Sequence, residues 1–449
     1  MKRKFLTFMA VAFAVAASAQ EKPAHDYGDF TVDAQVRALG EFRGGLGTQS
    51  DGSSASKLFV SDRVRLSFGW ERKNISMKIA AQHAGSWQNS SQKSTLGKIA
   101  LHEAWARMTF WKGLFVQAGR QELSYDDERL FGAHDWAATG RAHDALRVGW
   151  EYGRHKIHAI ASFNQTADVV DDITLGSTTS NTKLYKNMQM LWYHFGKEQS
   201  PFQISALFTN QGANDVKKDS IRYMQTFGVY MSYAKRNLSA DLSAYYQTGR
   251  DRTGADLRAF MMSGSFGWRF APKWNAVVGD DYLNGSDGMP GTNRTFNLLY
   301  GSYHKFFGSM DNFAYSAVPL YGLNDLHLSF AYNCNPKLDM SFAYHWLATG
   351  RPINDYLNDD GPRLTDPELI KKMRNYNGKY RFTQSLGHEL DLQVNYRPWK
   401  FVAIQAGYSM MFSTETTKLI KGMDMKKVQN WVWLCLDINP TVFSTKHRK

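Results

Sequence analysis

The chain has 449 residues, with 14% aromatic and 21% charged residues and a formal net charge of +13. Two cysteines exclude a disulfide-stapled scaffold or a multi-cysteine zinc module, and a mean hydropathy of −0.45 excludes a polytopic helical membrane protein. What remains is a soluble β-rich protein or a transmembrane β-barrel, which average hydropathy does not separate.

In chain order, the first element is an export leader. Lys2, Arg3 and Lys4 precede an apolar run over residues 5–17, and Ala17-Ser18-Ala19 forms an A-x-A cleavage site. This predicts a signal peptide over residues 1–19 and a mature chain from Gln20. The three basic residues go with the leader, so the mature charge is +10. No later stretch reaches the roughly 18 apolar residues of a helical span, so any membrane crossing is by a closed barrel.

The mature chain then alternates with period two. Phe30, Val32, Ala34, Val36 and Ala38 oppose Thr31, Asp33, Gln35 and Arg37; Val64, Leu66, Phe68 and Trp70 oppose Arg63, Arg65 and Ser67. The pattern returns at 75–81, 156–164, 202–209, 238–247, 326–332, 337–346, 388–397 and 401–410, and an aromatic-rich final strand is expected over 428–438. Brief turns at 71–74, 111–113, 152–154, 234–237, 271–273, 335–336 and 397–400 alternate with long polar loops. The long ones cover 44–56, 84–94, 121–143, 165–183, 284–324 and 349–384. This rhythm predicts an all-β fold. It is a transmembrane antiparallel β-barrel of about eighteen strands with short periplasmic turns and long extracellular loops. A soluble sandwich would struggle to bury so many apolar strand faces in one core, and no fixed-period repeat points to a propeller. No linker interrupts residues 20–449, which are expected to form a single barrel domain.

Residues 114–151 contain G-R-Q-E-L-x-Y, D-E-R-L-F-G, D-W and G-R-x-H-D-A-L-R. This block resembles the alginate-export family of outer-membrane barrels. A second block, TFNLLYGSYHKFFGSMDNF (295–313), resembles the same family, with Leu298 where a proline is expected. The resemblance implies a porin-like monomeric barrel in the bacterial outer membrane, whose narrow, positively charged lumen passes an anionic polysaccharide.

The polar faces supply the candidate path. Arg37, Arg63, Arg65, Lys78, Arg107, Arg147 and Lys156 lie opposite the apolar faces, Arg120 falls within G-R-Q-E-L, and Asp33, Glu103 and Asp144 lie on or near the same surface. Arginine pairs bidentately with carboxylates and keeps its charge, so such a lining favours anions by passive diffusion. The same residues equally suit mutual ion pairs that stiffen the wall. The 121–143 loop crowds Tyr125, Asp126, Asp127, Glu128, Arg129, His134, Asp135, Trp136, Arg141, His143 and Asp144. It constricts the pore as a filter, is pinned to the wall by Arg129 and Arg141 pairing with Asp126, Asp135 or Asp144, or does both. A cation site on Asp126, Asp127 and Glu128 lacks the ligand spacing of a calcium loop.

No H-E-x-x-H, G-x-S-x-G or Walker loop is present, so no enzyme activity, cofactor or metal is expected. Export and the lack of basic-aromatic clustering argue against nucleic acid. The partners expected are outer-membrane lipid and an anionic carbohydrate or other small anion. Two alternatives stay open: an uptake porin for small anions or carbohydrates, and an outer-membrane barrel enzyme. Cys334 and Cys435 are expected to be unpaired.

Overall fold

The computed structural model describes residues 27–45, 57–87, 99–164, 185–216, 220–286, 291–313, 320–352, 383–421 and 428–446. The leader and its cleavage site lie outside them. The strands run β1 (Asp29–Gly44), β2 (Lys57–Arg72), β3 (Ile75–Ser86), β4 (Ile99–Thr109), β5 (Leu114–Gln121) and β6 (His143–Tyr152). Next come β7 (His155–Phe163), β8 (Asn187–Phe195), β9 (Phe202–Asn214), β10 (Ile221–Lys235), β11 (Leu238–Arg250), β12 (Asp256–Ala271) and β13 (Trp274–Leu283). A two-residue strand, β14 (Thr292–Asn293), lies parallel to the start of β12. The wall then continues with β15 (Leu323–Asn335), β16 (Leu338–Ala348), β17 (Ser385–Trp399), β18 (Val402–Ser413) and β19 (Val428–Ile438), and β20 (Thr441–Ser444) adds briefly to β1.

Each wall strand pairs antiparallel with its neighbour in sequence, and β1 pairs with β19 from Val36↔Ile438 to Gly44↔Asn430. With β14 and β20 set aside, the twenty strands leave a closed 18-stranded antiparallel barrel, so no wall strand has a free edge in the membrane.

The alternation in sequence becomes two environments. Val64, Leu66, Phe68, Ile79, Leu146, Val148, Leu392 and Leu434 project outward and are exposed, as a lipid-facing surface requires. Trp111, Tyr152, Trp268, Trp274 and Trp399 gather at the short-turn end, an interfacial aromatic girdle. The turns there are tight. Gly113, at φ +80°, lies where a Cβ would stand 2.0 Å from the Glu151 carbonyl oxygen, so only glycine fits.

One departure from the expected rhythm occurs. The connections at 215–220 and 251–255 are short although they lie at the long-loop end. The strands beside them run 13, 15, 13 and 16 residues, beyond the roughly 9–11 needed to cross the bilayer.

The apolar core is inside the barrel and is made largely by loops. Leu123, Leu130 and Phe131 pack with Phe296, Leu298, Phe307, Met310 and Phe313, all buried. Burial of each such side chain contributes about 1.5–3 kcal/mol, which holds the loops inside against the entropy of releasing them.

Candidate functional site: a loop-lined barrel lumen

Residues 122–142 leave β5, cross the interior and return to β6. Tyr125 sets the first contact: its ring packs edge-on against Trp192 at 4.9 Å, and its hydroxyl lies 3.0 Å from His158 Nδ1. Asp126 accepts a hydrogen bond from Trp192 Nε1 at 3.1 Å. Burial pushes its carboxyl up to about 6, outweighing hydrogen bonds from Ser205 and Trp192. Arg129 then bridges two carboxylates, Asp127 at 2.8 Å and Asp281 of β13 at 2.8 Å, with its guanidinium 4.0 Å from the Phe306 ring centroid.

The loop continues to the opposite sector. Asp135 takes Arg63 at 2.8 Å and Arg65 at 3.7 Å, and its backbone carbonyl accepts from Arg37 at 2.7 Å. Trp136 stacks on His304 at 4.4 Å and packs edge-on against Trp433 at 4.9 Å. A cavity of only about 10 Å³ remains beside Arg37, Arg63 and Trp136. Arg141 donates to the Gly301 carbonyl at 2.9 Å. His134 is pushed down to about 4 by burial and then by the Arg141 guanidinium.

A second inward loop meets the first. Phe131 and Tyr300 form a parallel bridge, Ser302 N donates to the Glu128 carbonyl at 2.9 Å, and Lys305 pairs with Glu128 at 2.5 Å. Tyr300 reaches Gln211 at 3.0 Å, and Met310 N donates to Glu389 at 2.7 Å. The two sequence blocks that carry the family resemblance are therefore packed on each other inside the barrel.

The candidate path residues fall into groups. Arg37, Arg63 and Arg65 surround Asp135. Lys78 and Glu103 pair with each other. Arg107 lies 3.7 Å from Glu151 and 3.5 Å from the Phe115 ring centroid, and Arg147 donates to Gln117 at 2.7 Å. Lys156, opposite Glu151 in the β6–β7 register, also faces inward. In β1 to β7, Arg and Lys thus outnumber the acids that meet them.

Two expectations need correction. Arg120 and Asp144 pair at 3.1 Å, but they share strand parity with Ala118, Leu146 and Val148 and so face outward, not into the lumen. Arg129 pairs with Asp127 and Asp281, not with Asp126, Asp135 or Asp144, and Arg141 with a backbone carbonyl. The lumen also holds acids outside the expected set: Asp281, Asp325, Glu389 and Asp391 cluster, buried, on β13, β15 and β17. Sequence reading passed over them because single acids on scattered strands carry no spacing. Asp325-x-His327, two inward positions on one strand, was the available signal.

A closed barrel with an apolar belt, aromatic girdle, polar interior and inward loops defines a bacterial outer-membrane channel. The sequence matches the family described as alginate export over residues 31–429, and the chain belongs to that family. Solved barrels share its architecture. OccK9 (OpdG) of Pseudomonas aeruginosa is 12% identical with a TM-score of 0.57, covering 91% of this chain and 98% of that one. OpdK of the same organism, solved with vanillate, is 10% identical with a TM-score of 0.58, covering 92% and 98%. OprD is 11% identical with a TM-score of 0.57, covering 92% and 96%. No curated protein matches the chain.

Proposed function

We propose that the channel passes anionic solutes by passive diffusion, with acidic oligo- or polysaccharide such as alginate as the class of cargo. The observation that carries this reading is the inward cationic surplus of β1 to β7, where Arg107 and Lys156 share Glu151 as their nearby acid and Arg147 donates to the neutral Gln117. Fixed guanidinium and ammonium groups in a low-dielectric lumen lower the energy of a passing carboxylate and raise that of a cation. The chain performs no chemistry on its cargo. It works as a monomer, one barrel domain from residue 20, delivered to the outer membrane by the leader over residues 1–19.

In planar bilayers under a salt gradient, the reversal potential should show anion selectivity, and uronate oligomers should block the current. Cation selectivity would overturn the reading. A second reading, an uptake porin for small anions or carbohydrates, draws on the tight packing of the 122–142 loop beside Arg37 and Arg63. Block by monomeric and dimeric uronates but not by longer oligomers would favour it.

A further inference from the structure

The acidic wall contains a side-chain group that the anion path does not use. β15 presents Asp325 and His327 on its inward face, and β16 places His345 directly opposite His327. One donor atom from each of the three lies within 4.8 Å of the others. His345 Nδ1 is 2.9 Å, and His327 Nδ1 3.8 Å, from the same Asp325 oxygen. Ligands at about 2.0–2.1 Å from a tetrahedral zinc ion stand about 3.3 Å apart, so these separations bracket a shared metal position.

The surroundings fit an ion as well. The other ring nitrogen of His345, Nε2, faces Asp391 at 3.6 Å. A carboxylate behind a ligating histidine fixes its tautomer and raises its basicity. Asp325 is fully buried, and Asp391 is 8% exposed. His327 Nδ1, Asp391 Oδ1 and, across from His345, Glu389 Oε2 are buried without a hydrogen-bond partner. Buried carboxylates need a counter-charge. Among the described residues the nearby Arg129 is already committed to Asp127 and Asp281. Gly279 makes room for the ring, since a Cβ there would stand 2.4 Å from His327 Nε2.

We propose that Asp325, His327 and His345 bind a divalent transition-metal ion of the zinc class in the barrel wall, with Asp391 as a positioning residue and the fourth coordination position left to a non-protein ligand. Two imidazole nitrogens and one carboxylate suit zinc, whereas calcium and magnesium prefer all-oxygen sets. The site is independent of the solute that the channel conducts.

The test uses the full chain without an affinity tag, folded in detergent, stripped with chelator and titrated with Zn²⁺ by calorimetry. One equivalent should bind. His327→Ala and His345→Ala should each weaken binding by more than about tenfold, and Asp391→Asn by about 10–100-fold at unchanged stoichiometry. His155→Ala, at the short-turn end against Tyr193, should leave the affinity as it was. Heat-modifiable migration in gels checks that each variant still closes its barrel. Co²⁺ added to the unmodified chain should give the visible bands of a four-coordinate nitrogen–oxygen site, which needs no variant. Absence of stoichiometric Zn²⁺ binding, binding unaffected by both histidine changes, or an octahedral Co²⁺ spectrum would overturn the proposal.

Discussion

Arg129 and Asp281 form a buried ion pair at 2.8 Å that ties the inward loop to β13. The bond is made in a poorly hydrated interior, with Asp127 as the second carboxylate on the same guanidinium. Removing Arg129 strands two buried carboxylates, which costs far more than the pairs contribute, whereas removing Asp281 leaves the guanidinium with Asp127 alone. Arg129→Met should therefore destabilise loop docking by roughly 3–5 kcal/mol, and Asp281→Ala by less. Limited proteolysis should show new cleavage between residues 122 and 142, and single-channel recordings should become noisier. Arg129→Met with Asp127→Asn and Asp281→Leu should restore much of the quiet trace; no recovery would show that the triad does more than hold the loop.

The loop also carries two opposed titrations. Asp126, held up to about 6 by burial, stabilises docking at low pH and loses that contribution as pH rises from about 4 to about 6. His134, held down to about 4 by burial and Arg141, stabilises docking above pH 6.5 and loses it as pH falls toward 4. Each shift corresponds to about 3 kcal/mol, with opposite signs over the same window. Asp127, raised by burial beyond the opposing effect of Arg129, adds to the Asp126 side. Glu128, where hydrogen bonds from Lys305 and Ser124 outweigh burial and hold it low, adds to the His134 side. Channel noise should thus vary little between pH 4 and 7. Asp126→Asn should make acid loosen the loop, and His134→Gln should make acid tighten it; the same pH profile in both variants would refute the balance.

Orientation separates two arginines that the sequence treats alike. Arg147 faces the lumen, whereas Arg120 faces outward with Asp144. Arg147→Ala should shift the reversal potential toward cations, while Arg120→Ala should leave it unchanged. A shift in the second variant would place Arg120 in the path after all.

Trp136 fills the space beside Arg37 and Arg63 and stacks on His304. Trp136→Ala should forfeit roughly 0.5–1.5 kcal/mol for each aromatic pair lost and enlarge the small cavity there. Single-channel conductance should rise without a reversal of ion preference. Unchanged conductance would place the narrowest point elsewhere.

The wall was legible in the sequence because strand alternation is local: Val64, Leu66 and Phe68 against Arg63, Arg65 and Ser67 need no knowledge of distant residues. The inward loops were partly legible, since their crowding with Tyr, Asp, Arg and Trp marked them. Their anchors were not. Arg129 meets Asp281, and Phe131 meets Tyr300, through contacts that only the closed barrel creates. Arg120 and Asp144 were misplaced for a smaller reason. They sit where strands end, and a shift of one residue exchanges inside for outside. The glutamate and aspartates of β13, β15 and β17 gave no periodic signal, and their convergence with His327 and His345 is a property of register alone.

One feature of the loop bears on how the barrel forms. Its far end rests on Arg37 and Arg63 from β1 and β2 and, through Trp136, on Trp431 and Trp433 from β19. These are the strands whose pairing joins the beginning of the wall to its end. Until that last ladder zips, Trp136 has only half its seat, so the inserted segment cannot settle before closure. Once settled, it spans the seam from within like an internal staple. Opening the barrel at its weakest topological point then requires expelling the inserted segment as well, which couples the docked loop to the lifetime of the folded wall.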